Sequence, residues 1–263
     1  MKKPAEMNTI DEKLNAFREL LDIMDELRKK CPWDRKQTNE TLRNLTIEEV
    51  YELADAILKN NPAEIKNELG DLMLHIVFYA KIGSENNDFD MGDVLKSLTK
   101  KLIYRHPHVF GKTVVQDHED VKKNWEELKM REGNGVLTGV PNSLPAMIKA
   151  NRIQEKVRAV GFDWEEKSQI WNKVREELNE LQREIQKGDQ HNVESEFGDL
   201  FFSLINASRL YGIDPETALE KTNRKFIKRF NYLEKKTLAK GKRLKEMTLD
   251  QMNKIWDQAK DYD

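Results

Sequence analysis

Glu49 and Glu52 stand three residues apart, as do Glu68 and Asp71, and the same four acids return as Glu177, Glu180, Glu196 and Asp199. Three-residue spacing puts both members of a pair on one helix face. Carboxylates brought face to face at the low effective dielectric of a helix interface repel unless a cation lies between them. Ligation by oxygen alone suits a hard divalent ion, magnesium first and manganese as its substitute. Magnesium usually completes its coordination with waters and substrate phosphates, so these acids favour a polyphosphate ligand.

The repetition is what separates these acids from the many solvated glutamates of a charged chain. EEVYEL at 48–53 is answered by EELNEL at 176–181, and ELGDLM at 68–73 by EFGDLF at 196–201, both displaced by 128 residues. This is an internal duplication. A short break after each first motif predicts an antiparallel helical hairpin, in which residues at equal height share one index sum. Glu49 with Asp71 and Glu52 with Glu68 share the sum 120, placing one turn at residue 60, in Asn60-Asn61-Pro62. Glu177 with Asp199 and Glu180 with Glu196 share 376, placing the other at residue 188, in Lys187-Gly188-Asp189. A di-iron bundle needs Glu-x-x-His on two helices. Here both second motifs end in aspartate, and His75, one turn beyond Asp71, is answered by Ser203, which makes it a hydrogen-bonded packing residue. Gly70 and Gly198 precede the aspartates, where close helix approach is expected to offset the cost of about 1 kcal/mol that a helical glycine carries.

A polyphosphate also needs cations. Lys101 and Arg105 in KLIYRH, and Lys225 and Arg229 in KFIKRF, form pairs four apart in a later helix of each copy. WEELK at 125–129 is answered by WDQAK at 256–260, which sets Trp125 with Lys129 and Trp256 with Lys260, one turn apart. A tryptophan at such a place either packs in the core or stacks on a base, while the basic residues neutralise phosphate charge. No GxxxxGK loop occurs, which excludes a P-loop enzyme.

The elements that must position these residues are helices nearly throughout. Glycine and proline are scarce, and apolar residues recur at three and four, as in Leu14, Phe17, Leu20, Leu21, Met24 and Leu27. The periodicity predicts helices over 8–30, 41–59, 62–86, 91–104, 117–131, 143–159, 166–186, 190–211, 214–239 and 246–260. Residues 133–145 hold three of the twelve glycines and two of the seven prolines, so the chain reads as a helical domain at 1–132, a linker at 133–145 and a second helical domain at 146–263. The expected fold is all-α, a tandem repeat of an antiparallel helical-bundle unit.

Composition excludes several classes. The 45 basic and 47 acidic side chains leave a net charge of −2, so no global field favours nucleic acid or an acidic membrane. No apolar run marks a signal peptide or a membrane span. The single cysteine, Cys31, rules out an internal disulfide framework and fits a reducing compartment, with the cytoplasm as the expected location.

Together with CPWDRKQT at 31–38, KLIYRHPHVFG at 101–111, KNWEELK at 123–129 and VGFDW at 160–164, the acidic motifs resemble the MazG family of nucleoside triphosphate pyrophosphohydrolases over essentially the whole chain. The resemblance implies an all-α fold that usually dimerises, magnesium dependence, and hydrolysis of ordinary or aberrant nucleoside triphosphates to monophosphate and pyrophosphate. It implies magnesium ligation by Glu177, Glu180, Glu196 and Asp199, with the general base among Glu176, Glu177 and Glu180. Nucleotide contacts fall to Lys173, Glu176, Lys225, Arg229, Trp256 and Lys260. A possible second site in the first copy comprises Glu48, Glu49, Glu52, Glu68, Asp71, Lys101, Arg105, Trp125 and Lys129. Two other classes stand beside the enzyme: a module that holds a magnesium–nucleotide complex or a protein partner without turnover, and a helical scaffold whose acids are surface charge.

Overall fold

The computed structural model describes residues 7–117, 120, 121, 124, 125, 128, 135–239 and 241–260. Ten helices are delimited among them: α1 (Ile10–Lys30), α2 (Asn39–Leu58), α3 (Pro62–Glu85), α4 (Met91–Arg105), the single turn α5 (Pro107–Phe110), α6 (Ala146–Ala159), α7 (Lys167–Lys187), α8 (Gln190–Leu210), α9 (Pro215–Ala239) and α10 (Leu249–Ala259). No strand occurs among the described residues. The fold is all-α, built of two helical units, as the periodicity predicts. The helix expected over 117–131 falls largely outside the described residues; 120, 121, 124, 125 and 128 are helical.

Local chemistry sets the helix ends. Thr9 accepts from the Glu12 amide while the Glu12 carboxylate takes the Thr9 amide at 2.7 Å, a reciprocal cap, and Arg28, Lys29 and Lys30 meet the carbonyl end of α1. Asn61 caps α3, with Pro62 supplying a first residue that needs no amide partner. Asp189 caps α8 through the amides of His191 and Asn192. The two turn positions derived from the index sums are where the backbone turns left-handed: Asn60 has φ 53° and Gly188 has φ 76°. α2 therefore folds back on α3, and α7 on α8, as antiparallel pairs.

The chain divides into two compact units between Val114 and Val115. The glycine- and proline-rich stretch at 133–145 lies beyond that division. Its described part is tied to α6: the buried Lys156 ammonium donates to the carbonyls of Val136 at 3.1 Å and Thr138 at 3.3 Å, and Lys149 donates to that of Asn142. In the first unit Met24 of α1, Leu42 of α2 and Val77, Phe78 and Ile82 of α3 form the core. Arg28 closes its edge, pairing with Glu85, donating to the Gln37 carbonyl and lying 5.4 Å from the centre of the Phe78 ring. In the second unit Ile170 and Val174 of α7 meet Ala207 of α8, with Leu200 and Leu210 packed around them. α6 and α9 lean on α8, and α10 on α9.

Gly70 and Gly198 do not mark close helix approaches. A β-carbon at either would meet nothing within 4 Å, so the compensation expected for these glycines is not found.

The core assignment is checked on α1. Met24→Ala, at a side chain 1% exposed, should lower the stability of the first unit by about 2–5 kcal/mol. Leu14→Ala, 57% exposed, should change it by less than about 0.5 kcal/mol. Denaturant titration followed by circular dichroism measures both, and equal effects would contradict the packing of α1.

Candidate active site

The α7–α8 hairpin brings Glu177, Glu196 and Asp199 together, one carboxylate oxygen from each lying within 4.8 Å of the others. The α2–α3 hairpin does the same with Glu49, Glu68 and Asp71. Glu52 and Glu180 stand outside these close groups, yet near enough for their charges to act on Glu68 and Glu196.

That crowding shifts proton affinities. Desolvation, then the charges of Glu180, Asp199 and Glu177, holds the Glu196 carboxyl above the usual carboxylate range. Desolvation and the surrounding acids raise Glu49 and Glu68 in the same way. A divalent cation reverses the balance, because it favours the ionised form of every ligand, and protons compete with it as the pH falls. The donor set, three carboxylates converging on one point in each hairpin, fits a hard cation.

Lys173 supplies part of the missing positive charge in the second unit. Its Nζ lies 2.5 Å from Glu177, whose side chain is only 8% exposed, and 3.1 Å from Glu176. These partners, the Glu177 hydrogen bond first, push the lysine pKa up. Glu176 itself is exposed. Leu45 occupies the place of Lys173 in the first repeat and packs against the core.

The acid group of the second unit opens into a cavity of about 830 Å³. Glu177, Glu180, Glu196, Asp199 and Lys173 line its acidic end. The rest is walled by α6, by the Phe162-Asp163-Trp164 turn and by the continuation of α8, with Phe202, Ser203, Asn206 and Arg209. VGFDW thus places its aromatic residues at the cavity. Gln154, 3% exposed, is held there by donating Nε2 to the Phe202 carbonyl at 2.9 Å. Neither Gln154 nor Asn206 was singled out from the sequence. The available signal for Asn206 was its position on the face that runs from Glu196 through Asp199 and Ser203, at helical spacings of three and four.

The basic residues lie elsewhere. Lys225 is exposed, Arg229 sits over the Trp256 ring at 5.7 Å, and Phe226 packs against the same ring at 5.0 Å. Lys260 is exposed and pairs with Asp257 at 2.7 Å. Lys225, Arg229, Trp256 and Lys260 do not line the cavity. In the first unit Glu48, Glu52 and Lys101 are exposed and Arg105 is half-buried. Trp125 falls beyond the division at 114 and is 39% exposed, while Lys129 lies outside the described residues. His75 is a buried packing residue, its Nδ1 3.0 Å from the Thr46 hydroxyl, which also meets the Tyr79 hydroxyl at 2.8 Å. Burial pushes its imidazole pKa down against the opposing pull of Asp71.

Comparison with known proteins gives the same duplication. The MazG nucleotide pyrophosphohydrolase domain matches twice, at residues 37–110 and 165–233, each match spanning one acidic hairpin. A nucleoside triphosphate pyrophosphohydrolase/pyrophosphatase MazG of Thermotoga maritima is 42% identical over 93% of this chain and 95% of its own length. A nucleoside triphosphate pyrophosphohydrolase of Escherichia coli K12 is 37% identical over 94% of this chain and 98% of its own. With two domain matches and relatives aligned nearly end to end, the chain belongs to the MazG nucleotide pyrophosphohydrolase family.

Proposed function

We propose that the chain hydrolyses nucleoside triphosphates to the monophosphate and pyrophosphate in a magnesium-dependent reaction centred on the second unit. The observation that carries this reading is the opening of the Glu177, Glu196 and Asp199 group into a cavity that also presents Phe162, Trp164 and Phe202. One end suits phosphate-bound metal, the other a nucleoside, and the bond to be broken lies where they meet.

Glu177, Glu180, Glu196 and Asp199 would hold magnesium, which when bound lowers the pKa of a water and neutralises charge on the leaving pyrophosphate. A glutamate among Glu176, Glu177 and Glu180 takes the proton of the water that attacks the α-phosphorus. Lys173, held beside Glu176 and Glu177, limits repulsion between these acids and the phosphates. Lys225, Arg229 and Lys260 act on the outer phosphates. Since they do not line the cavity, they serve a part of the nucleotide that projects from it or the site of a second copy. A homodimer fits, because Phe197, Phe201, Phe226 and Ile227 leave apolar surface exposed on α8 and α9.

A narrower role is proposed for the first unit, that of holding a metal ion without turnover. It keeps a convergent acid trio, but Leu45 and Phe78 stand in its core where the second repeat has Lys173 and Asn206. The location of the enzyme in the cytoplasm remains part of the proposal; among the described residues no helix is long and apolar enough to cross a membrane.

Incubating the protein with ATP, dGTP and dUTP and resolving the products by ion exchange tests the reaction. Monophosphate and pyrophosphate should appear only with magnesium; diphosphate and orthophosphate would place attack at the γ-phosphorus and refute the proposal. Glu196→Gln or Asp199→Asn should leave the helical spectrum unchanged, abolish turnover and reduce the rise in melting temperature on adding magnesium to the part that the first unit's acids contribute. Glu68→Gln should retain turnover, and near-normal rates in the Glu196 variant would remove the metal assignment. Arg229→Ala should lower kcat/KM by about tenfold at saturating magnesium through loss of a charge-assisted contact, and unchanged kinetics would confine Arg229 to packing on Trp256.

A further inference from the structure

We infer that Asn206 reads the nucleobase, donating a hydrogen bond from its amide nitrogen to a ring nitrogen or carbonyl of the base. The inference rests on the proposed nucleotide site and adds which side chain meets the base.

The orientation of the Asn206 amide is fixed by chemistry. Its Oδ1 accepts from Arg209 at 3.0 Å through Nε and at 2.7 Å through a terminal nitrogen, both of which can only donate. Arg209 is in turn clamped by both carboxylate oxygens of Asp163, one at 3.1 Å, in an ion pair whose arginine side chain is 8% exposed. Asp163 also holds Arg158 at 3.4 Å. The clamp leaves Asn206 with its Nδ2 donor uncommitted: it has no partner among the described residues, and the half-buried residue lines the cavity.

Position selects the base over the sugar. Asn206 lies seven residues beyond Asp199 on α8, two turns or about 10 Å along the axis. A ribose and its base span a comparable length from an α-phosphate held at the acids, whereas the ribose hydroxyls would lie nearer Ser203, one turn from Asp199. Aromatic rings that can cover a base face, Phe162 and Trp164, flank Asp163 in the same wall. Every nucleobase carries an acceptor on its edge, so one donor admits all of them while favouring a base over none.

The test compares affinities for adenosine 5′-(α,β-methylene)triphosphate and its base-free ribose counterpart in magnesium, by calorimetry, so that turnover is not required. Wild-type protein should prefer the base-bearing ligand. Asn206→Leu should weaken it by about tenfold and leave the base-free ligand unaffected. Asn206→Asp keeps the acceptor for Arg209 and loses the donor, so the fold is retained. Its added charge acts on both ligands, and the ratio of their affinities should fall by the same factor. Equal losses for the two ligands, or none for either, would overturn the role of Asn206. Failure of wild-type protein to bind the adenosine ligand would overturn the nucleotide site with it. Binding with a base-dependent loss but no pyrophosphate release from ATP would sustain Asn206 and sink the proposed hydrolysis alone.

Discussion

Carboxylates that face one another across an antiparallel hairpin crowd like charge at one point, and the rest of each unit is arranged around that repulsion. In the second unit Glu177 is nearly buried beside Glu196 and Asp199, an arrangement that a chain with no use for it would relax by turning the acids to solvent. The hairpin withstands it because Ile170 and Val174 pack on Ala207 along the same two helices. Lys173 offsets part of the charge from within α7. What remains is demand for a cation, and the cavity provides room for the phosphates that would share it.

The duplication separates what the hairpin needs from what a nucleoside needs. Both repeats keep the turn, the acid trio and the capped second helix. They differ along the face that continues past the aspartate. There the first unit has His75, bonded to Thr46, and Phe78, buried under Arg28. The second has Ser203 and Asn206, with Arg209 fixed by Asp163. Polar groups held in place along a cavity wall are costly unless a ligand or water meets them, so their presence in one repeat points to the unit that takes the nucleoside.

Much of this was legible from spacing. Residues 60 and 188 follow from the index sums of the acid pairs, and both positions carry left-handed backbone. An antiparallel hairpin is a one-dimensional register problem, which sequence numbers solve. Which acids converge most tightly is a matter of side-chain reach, and Glu52 and Glu180 stand outside the close groups although they share the helix faces. The cavity escaped the sequence because it is enclosed by the way α6, the turn at 161–164, α7 and α8 pack on one another, which spacing along a single helix does not reveal. Lys225, Arg229 and Trp256 were legible as a repeated pattern, but their separation from the cavity depends on how α9 and α10 pack. Gly70 and Gly198 show the limit of reading a glycine: the cost in a helix is real, yet no close neighbour within either unit accounts for it.

In the proposed reaction the carboxylate group directs water to the α-phosphorus. Hydrolysis of ATP by the wild-type protein in oxygen-18 water with magnesium, followed by mass spectrometry of the products, tests it most directly. One heavy oxygen in AMP and none in pyrophosphate is the predicted result. Label in pyrophosphate would mean attack at the β-phosphorus, and would contradict the arrangement of acids and nucleoside cavity on which this account stands.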